Sequence, residues 1–146
     1  MLAVLVLGAC GGSSHRARPS RETATYEGLT VELQLDRPTV VLGKKTVVGY
    51  FVVSNPTKDA VSLEGCQFGQ FTFGLVPVSQ PDAPLQGDVT TSCASGTTTF
   101  APGAHQKWFA AQFVTTNGTT DLPPGEYVAV VRFNDTTEVR APLTLT

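Results

Sequence analysis

Apolar and polar residues alternate strictly along Leu29–Leu35, where Leu29, Val31, Leu33 and Leu35 interleave with Thr30, Glu32 and Gln34. A period of two puts one set of side chains on a single face, so this segment predicts a strand with one buried side. Asp36-Arg37-Pro38 ends it. Thr46–Ser54 is almost wholly apolar and predicts a central strand covered on both faces. Asn55-Pro56-Thr57-Lys58-Asp59 supplies turn residues, and Ala60–Glu64 a short strand with Val61 and Leu63 inward. Phe71, Phe73 and Leu75 alternate in the next strand, which Pro77 closes. Gln80–Gly96 has little periodicity and reads as a long excursion. Thr97–Phe100 leads to the turn Ala101-Pro102-Gly103. Lys107–Thr115 predicts a strand with Phe109, Ala111 and Phe113 on one face and Trp108 with Ala110 on the other. Asn117-Gly118 opens a loop that ends at Pro123-Pro124-Gly125. Tyr127–Phe133 and Glu138–Leu145, joined at Asn134-Asp135, make the clearest hairpin.

Seven or eight short strands, turn signals about every ten residues and no helical period predict an all-β domain. An antiparallel β-sandwich is expected, with a closed barrel as the alternative. The chain of 146 residues suffices for one domain of usual size. Charged residues are only 15% and the net charge is −2, so no basic field exists to recruit nucleic acid.

The start of the chain is different. Met1–Ala9 is apolar and small and runs into Cys10, and Leu7-Gly8-Ala9-Cys10 resembles the lipobox of bacterial lipoprotein signal peptides. The resemblance implies cleavage before Cys10, a diacylglyceryl group on its sulfur and an extracytoplasmic, lipid-anchored address. No Lys or Arg precedes Cys10, so the true start is expected upstream. The alternative is a buried strand at Met1–Ala9 with Cys10 an ordinary thiol. Gly11–Gly28, rich in Gly and Ser, reads as a flexible tether. Arg16, Arg18 and Arg21 would lie close to headgroups, although incidental linker arginines are the preferred reading. The expected organisation is therefore signal peptide 1–9, lipidated cysteine and tether 10–28, and sandwich 29–146.

With Cys10 taken by lipid, Cys66 and Cys93 remain, and an oxidising compartment favours their pairing. That bridge would close a loop of roughly 30 residues, worth about 3–4 kcal/mol on a chain-entropy argument.

Val52–Leu63 resembles the strand–turn–strand opening of extracellular immunoglobulin-like modules, and Leu122-Pro123-Pro124-Gly125-Glu126-Tyr127 their approach to a late strand. There a tyrosine after Pro-Gly bonds back to the backbone as a corner. More narrowly, Asn55-Pro56-Thr57, Phe68-Gly69-Gln70-Phe71, Ala101-Pro102-Gly103 and Pro124-Gly125-Glu126-Tyr127 are similar, in that order, to BsuPI-type proteinase-inhibitor domains. The resemblance implies an immunoglobulin-like sandwich and, as an alternative function, protease inhibition.

Catalytic and metal chemistry find little support. His15 and His105 are the only histidines, so no His-rich ligand set is expected and no cofactor. Ser95, His105 and Asp121 supply the residue types of a hydrolytic trio, but no nucleophile-elbow motif surrounds a serine. Asp59, Asp82 and Asp88 form no calcium-loop pattern. The expectation is a non-enzymatic module whose partner is an envelope protein or extracellular ligand, the membrane being reached through the anchor. An accessory domain that only stiffens an envelope assembly is the third reading. Candidate contact residues are Phe68, Gln86, Asp88 and Trp108; core is the preferred reading of the alternating aromatics, and an exposed Trp108 near Phe68 is the alternative.

Overall fold

The computed structural model describes residues 21–41, 43, 46–64, 71–91, 96–133 and 137–146. Among them every regular element is a strand: β1 (Thr23–Tyr26), β2 (Leu29–Leu35), β3 (Thr39–Val40), β4 (Thr46–Ser54), β5 (Val61–Glu64), β6 (Phe71–Pro77), β7 (Gln86–Thr91), β8 (Thr97–Phe100), β9 (His105–Val114), β10 (Thr116–Asn117), β11 (Thr120–Asp121), β12 (Gly125–Phe133) and β13 (Thr137–Leu145). The fold is all-β. Cys10, Cys66, Phe68 and Cys93 lie outside the described residues.

Two sheets carry the core. One has the order β1-β2-β4-β9 and the other β3-β13-β12-β6-β7. Their ladders are antiparallel except for β3, which runs parallel to the end of β13. Each long strand buries alternate residues: Leu29, Val31 and Leu33 from β2, Val47, Phe51 and Val53 from β4, Tyr127, Ala129 and Val131 from β12, and Val139, Ala141, Leu143 and Leu145 from β13. These residues belong to one hydrophobic cluster. Aromatic contacts cross between the sheets, with ring centroids of Phe73 and Phe113 at 5.7 Å and of Phe51 and Phe71 at 6.2 Å. Phe51, Phe100 and Phe113 are among the largest fully buried side chains, each contributing about 1.5–3 kcal/mol by leaving water. The short pair β5–β8 adds Leu63 and Phe100 to the same cluster.

Five sequence expectations need correction. Strand β4 is central in its sheet but not covered on both faces: Val48, Tyr50 and Val52 point away from the core and are only half-buried. Part of the expected tether is a strand, since Thr23–Tyr26 pairs with β2 across the Glu27-Gly28 turn, and Ala24 and Tyr26 pack on the core. Part of the expected excursion is also a strand, β7, which extends the second sheet along β6. The strand count exceeds seven or eight because short pairings such as β3 and β10–β11 carry no hydrophobic repeat.

The fifth correction concerns β9. Gly49 pairs with Ala111 and Tyr50 with Phe109, so Ala110 is an extra residue, a β-bulge. Ala110 and Ala111 are both buried, and the alternation is reset there. Phe113 therefore points into the core while Phe109, four residues earlier, points out and is 66% exposed. Trp108 moves to the opposite fate. It packs partly buried against the core, 5.9 Å from Phe100 between ring centroids, with its Nε1 donating to Gln106 Oε1.

Candidate functional site

An open groove of about 700 Å³ lies at one end of the five-stranded sheet. Three stretches of chain line it: the end of β6 and its turn (Pro77–Gln80), Gln86 at the start of β7, and the run from the β10–β11 hairpin (Asn117, Thr120 and Asp121) into the approach to β12 (Leu122–Tyr127). Each stretch is fixed from below. Leu122 is buried, and its N–H donates to the Thr115 carbonyl at 2.9 Å. Val78 N–H donates to the Glu126 carbonyl at 2.9 Å, which ties the β6 turn to β12. The Tyr127 ring is 3% exposed, and its hydroxyl donates to the Pro123 carbonyl at 2.8 Å. Burial pushes the Tyr127 hydroxyl above the ordinary phenol value of 10.0.

Gly87 lets β7 enter this corner. Its φ of +62° is left-handed, and a Cβ there would stand 2.6 Å from the Val114 carbonyl oxygen and 3.1 Å from that of Thr116. Only glycine combines that conformation with that approach.

The groove mixes polar groups with apolar walls. Gln80, Gln86 and Asn117 bring amides, Ser79 and Thr120 hydroxyls, Asp121 and Glu126 carboxylates, and Pro77, Pro123 and Pro124 apolar walls. Among the described residues no Lys, Arg or His lines it, so a phosphate or carboxylate would find no charge partner there. Amides that both donate and accept, beside rigid proline surfaces, suit a neutral or cationic polar ligand.

Of the residues singled out from sequence, Gln86 lies in this groove. Asp88 lies on β7, where the pairing with β6 is irregular. Trp108 does not line the groove, and its side chain packs on the core. Phe68, Cys66, Cys93 and Cys10 are outside the described residues. Asn117, Asp121 and the Pro123–Glu126 stretch were not singled out as contact residues, although their Asn-Gly and Pro-Pro-Gly turn signals mark them as loop.

Residues Pro81–Leu85 of the excursion are largely exposed, Ala83 and Leu85 being half-buried. They border a second hollow, of about 580 Å³, together with Thr72, Val76, Val130 and Arg132 on the outer face of the five-stranded sheet. Val130 faces away from the core on β12, yet it is 2% exposed. His105 bonds through Nδ1 to Ser54 Oγ at 2.8 Å, its cross-strand neighbour, whereas Asp121 lines the groove. Among the described residues, no three His, Cys, Asp or Glu side chains are grouped as a metal site.

No family model and no curated protein matches this chain. Among solved structures it is similar to an alkylpurine DNA glycosylase of Pseudomonas fluorescens bound to DNA containing an abasic site analogue, with a TM-score of 0.47 and 15% identity over 81% of this chain and 30% of the other. It is also similar to a β-glucosidase of Erythrobacter marinus (TM-score 0.43, 14% identity, 87% of this chain and 15% of the other). A third similarity is to a β-glucosidase of Listeria innocua in complex with gluconolactone (TM-score 0.39, 13% identity, 79% and 16%). The chain thus spans less than a third of the length of each.

Proposed function

We propose that this protein is a lipid-anchored, extracytoplasmic module that binds a partner without transforming it, built as an immunoglobulin-like β-sandwich with a Cys66–Cys93 bridge. The observation that carries the binding reading is the groove into which Gln80, Gln86, Asn117 and Pro123–Glu126 converge from three separate stretches. Loops on a rigid scaffold are where recognition residues concentrate. A concave site that mixes apolar walls with a few polar groups is the usual form of a ligand site. The sequence supplies the address, through Leu7-Gly8-Ala9-Cys10.

The second reading, a BsuPI-like proteinase inhibitor, needs an extended loop that enters a protease cleft. Pro81–Leu85 borders the hollow on the outer sheet face, with Pro81, Asp82 and Pro84 exposed, and no specific contact marks it as such a loop, so the binding reading is preferred.

The test is in-cell photo-cross-linking of the full-length protein, with a benzophenone amino acid at Gln86, at Asn117 or, as a control, at Thr25. One dominant adduct shared by the Gln86 and Asn117 positions and absent at Thr25 is expected. If that adduct is a protease, the inhibitor reading gains. No adduct at all, or the same adducts from all three positions, would remove the groove as the site.

A further inference from the structure

We propose that the outer face of the four-stranded sheet docks on an anionic bilayer surface through Phe109 and Lys107. The proposal rests on the lipid-anchor reading and adds a second contact with the membrane.

The first observation is the bulge. A regular β9 would keep Phe109 on the same face as Phe113, in the core; the extra residue Ala110 turns it out, leaving it 66% exposed. Bulges re-aim side chains, and an outward phenylalanine is a large apolar group held in water. The second observation is what surrounds it. Tyr50 meets Phe109 edge-on at 6.5 Å between centroids, and Lys107 Nζ stands 4.3 Å above the Tyr50 ring. An apolar ring, an amphipathic ring and an ammonium side by side match the layers of a bilayer interface: acyl boundary, glycerol region and phosphate.

Charge supports the same occupant. Glu32, the carboxylate on the outward faces of β2, β4 and β9, is paired with Arg21 at 2.9 Å. Among the described residues on these outward faces, Lys107 is then left as the charge outside that pair, on a chain whose net charge is −2. Among the described residues the outward neighbours Val48, Val52, Gln34, Gln112, Ser54 and His105 carry no carboxylate to repel a phosphate.

The described chain begins beside this face. The described residues begin at Arg21, which bonds to Glu32 on this face. The stretch between Cys10 and Arg21 reaches at most about 35–40 Å when fully extended. A domain so tethered meets the surface at an effective concentration of about millimolar, so even a weak contact is populated.

The test uses the full-length chain with Cys10→Ser, so that binding does not depend on lipid, floated with vesicles at millimolar lipid. Vesicles of phosphatidylcholine with about a third phosphatidylglycerol are compared with phosphatidylcholine alone, and light scattering of the free protein is read beside them. The expected result is flotation with the anionic vesicles that falls about tenfold for Phe109→Ser and at least as much for Lys107→Glu, with unchanged far-UV circular dichroism. No flotation, or flotation indifferent to both substitutions, overturns the proposal. So does a Phe109-dependent dimer, or Phe109-dependent retention on insoluble polysaccharide, without vesicle binding. The anchor reading is judged separately, from the mass of the N-terminal peptide of wild-type protein extracted from cells. An unacylated Cys10 would sink that reading and leave the Phe109 result standing on its own.

Discussion

The Tyr127 hydroxyl donates a 2.8 Å hydrogen bond to the carbonyl of Pro123, four residues earlier, and so closes the approach to β12 into a fixed corner. The ring itself is in the core, so the same side chain fastens the groove rim to the interior. Tyr127→Phe keeps the ring and loses only the bond, and is expected to cost about 1 kcal/mol. Tyr127→Ala loses both and is expected to cost about 3–5 kcal/mol, as large aromatic truncations in cores do. Urea unfolding of the two variants checks the order. A phenylalanine variant as stable as wild type would show that the corner is held by packing alone.

Alkaline pH tests the same residue. Burial holds the folded Tyr127 hydroxyl above its ordinary value of 10.0, so the folded state keeps this proton after the unfolded chain has released it. Stability from this group is complete below pH 10.0 and is lost as pH rises through the folded value. Wild type should therefore lose stability above pH 10.0 more steeply than Tyr127→Phe. Unfolding midpoints for both proteins on either side of that pH give the slopes, and parallel slopes would contradict the assignment.

Asn55 is a 1% exposed amide with every group spent. Its Nδ2 donates to the carbonyls of Phe100 at 2.8 Å and Asp59 at 2.9 Å, and its Oδ1 accepts from the N–H and hydroxyl of Thr57. The residue thus joins the β4–β5 turn to the end of β8. Asn55→Ala strands the Phe100 carbonyl and is expected to destabilise by about 2–3 kcal/mol. Asn55→Asp should be worse at neutral pH, because a carboxylate would face two carbonyl oxygens. Chemical denaturation of the pair decides it; an aspartate variant more stable than the alanine variant would mean that the site admits water.

How far the sequence discloses this molecule can be seen element by element. The alternation of Leu29–Leu35 and the β12–β13 hairpin are legible because each strand buries one face and exposes the other. Tyr127 as a corner is legible from Pro-Pro-Gly-Glu-Tyr. The outward turn of Phe109 is not, because a bulge changes parity without leaving a mark in the hydrophobic pattern, and here the extra residue is one of two adjacent alanines. Strand β7 is hidden for another reason: Gln86–Thr91 is a polar edge, held by ladder bonds to β6 that any sequence can make. The groove combines both cases. Its loops are marked by Asn-Gly and Pro-Pro-Gly, but their convergence on Gln86 depends on the strand that the pattern conceals.

Gly49 tests the bulge from the facing strand. It stands within the apolar run Val47–Val53, where β-branched residues are otherwise favoured, and a Cβ there would lie 2.7 Å from Phe113 Cε2 and 3.1 Å from Leu33 Cδ1. The missing side chain is the space that the Phe113 ring occupies, directly beside the irregular step between Gly49 and Tyr50. Gly49→Ala is expected to cost about 1–3 kcal/mol by overpacking, despite the better strand propensity of alanine. If the ring is the cause, Phe113→Leu should relieve it, and the double variant should be more stable than the two single losses added together by at least about 0.5 kcal/mol. Four urea unfolding curves complete the cycle. Strict additivity would place the need for glycine in the backbone of the bulge itself and not in the packing of Phe113.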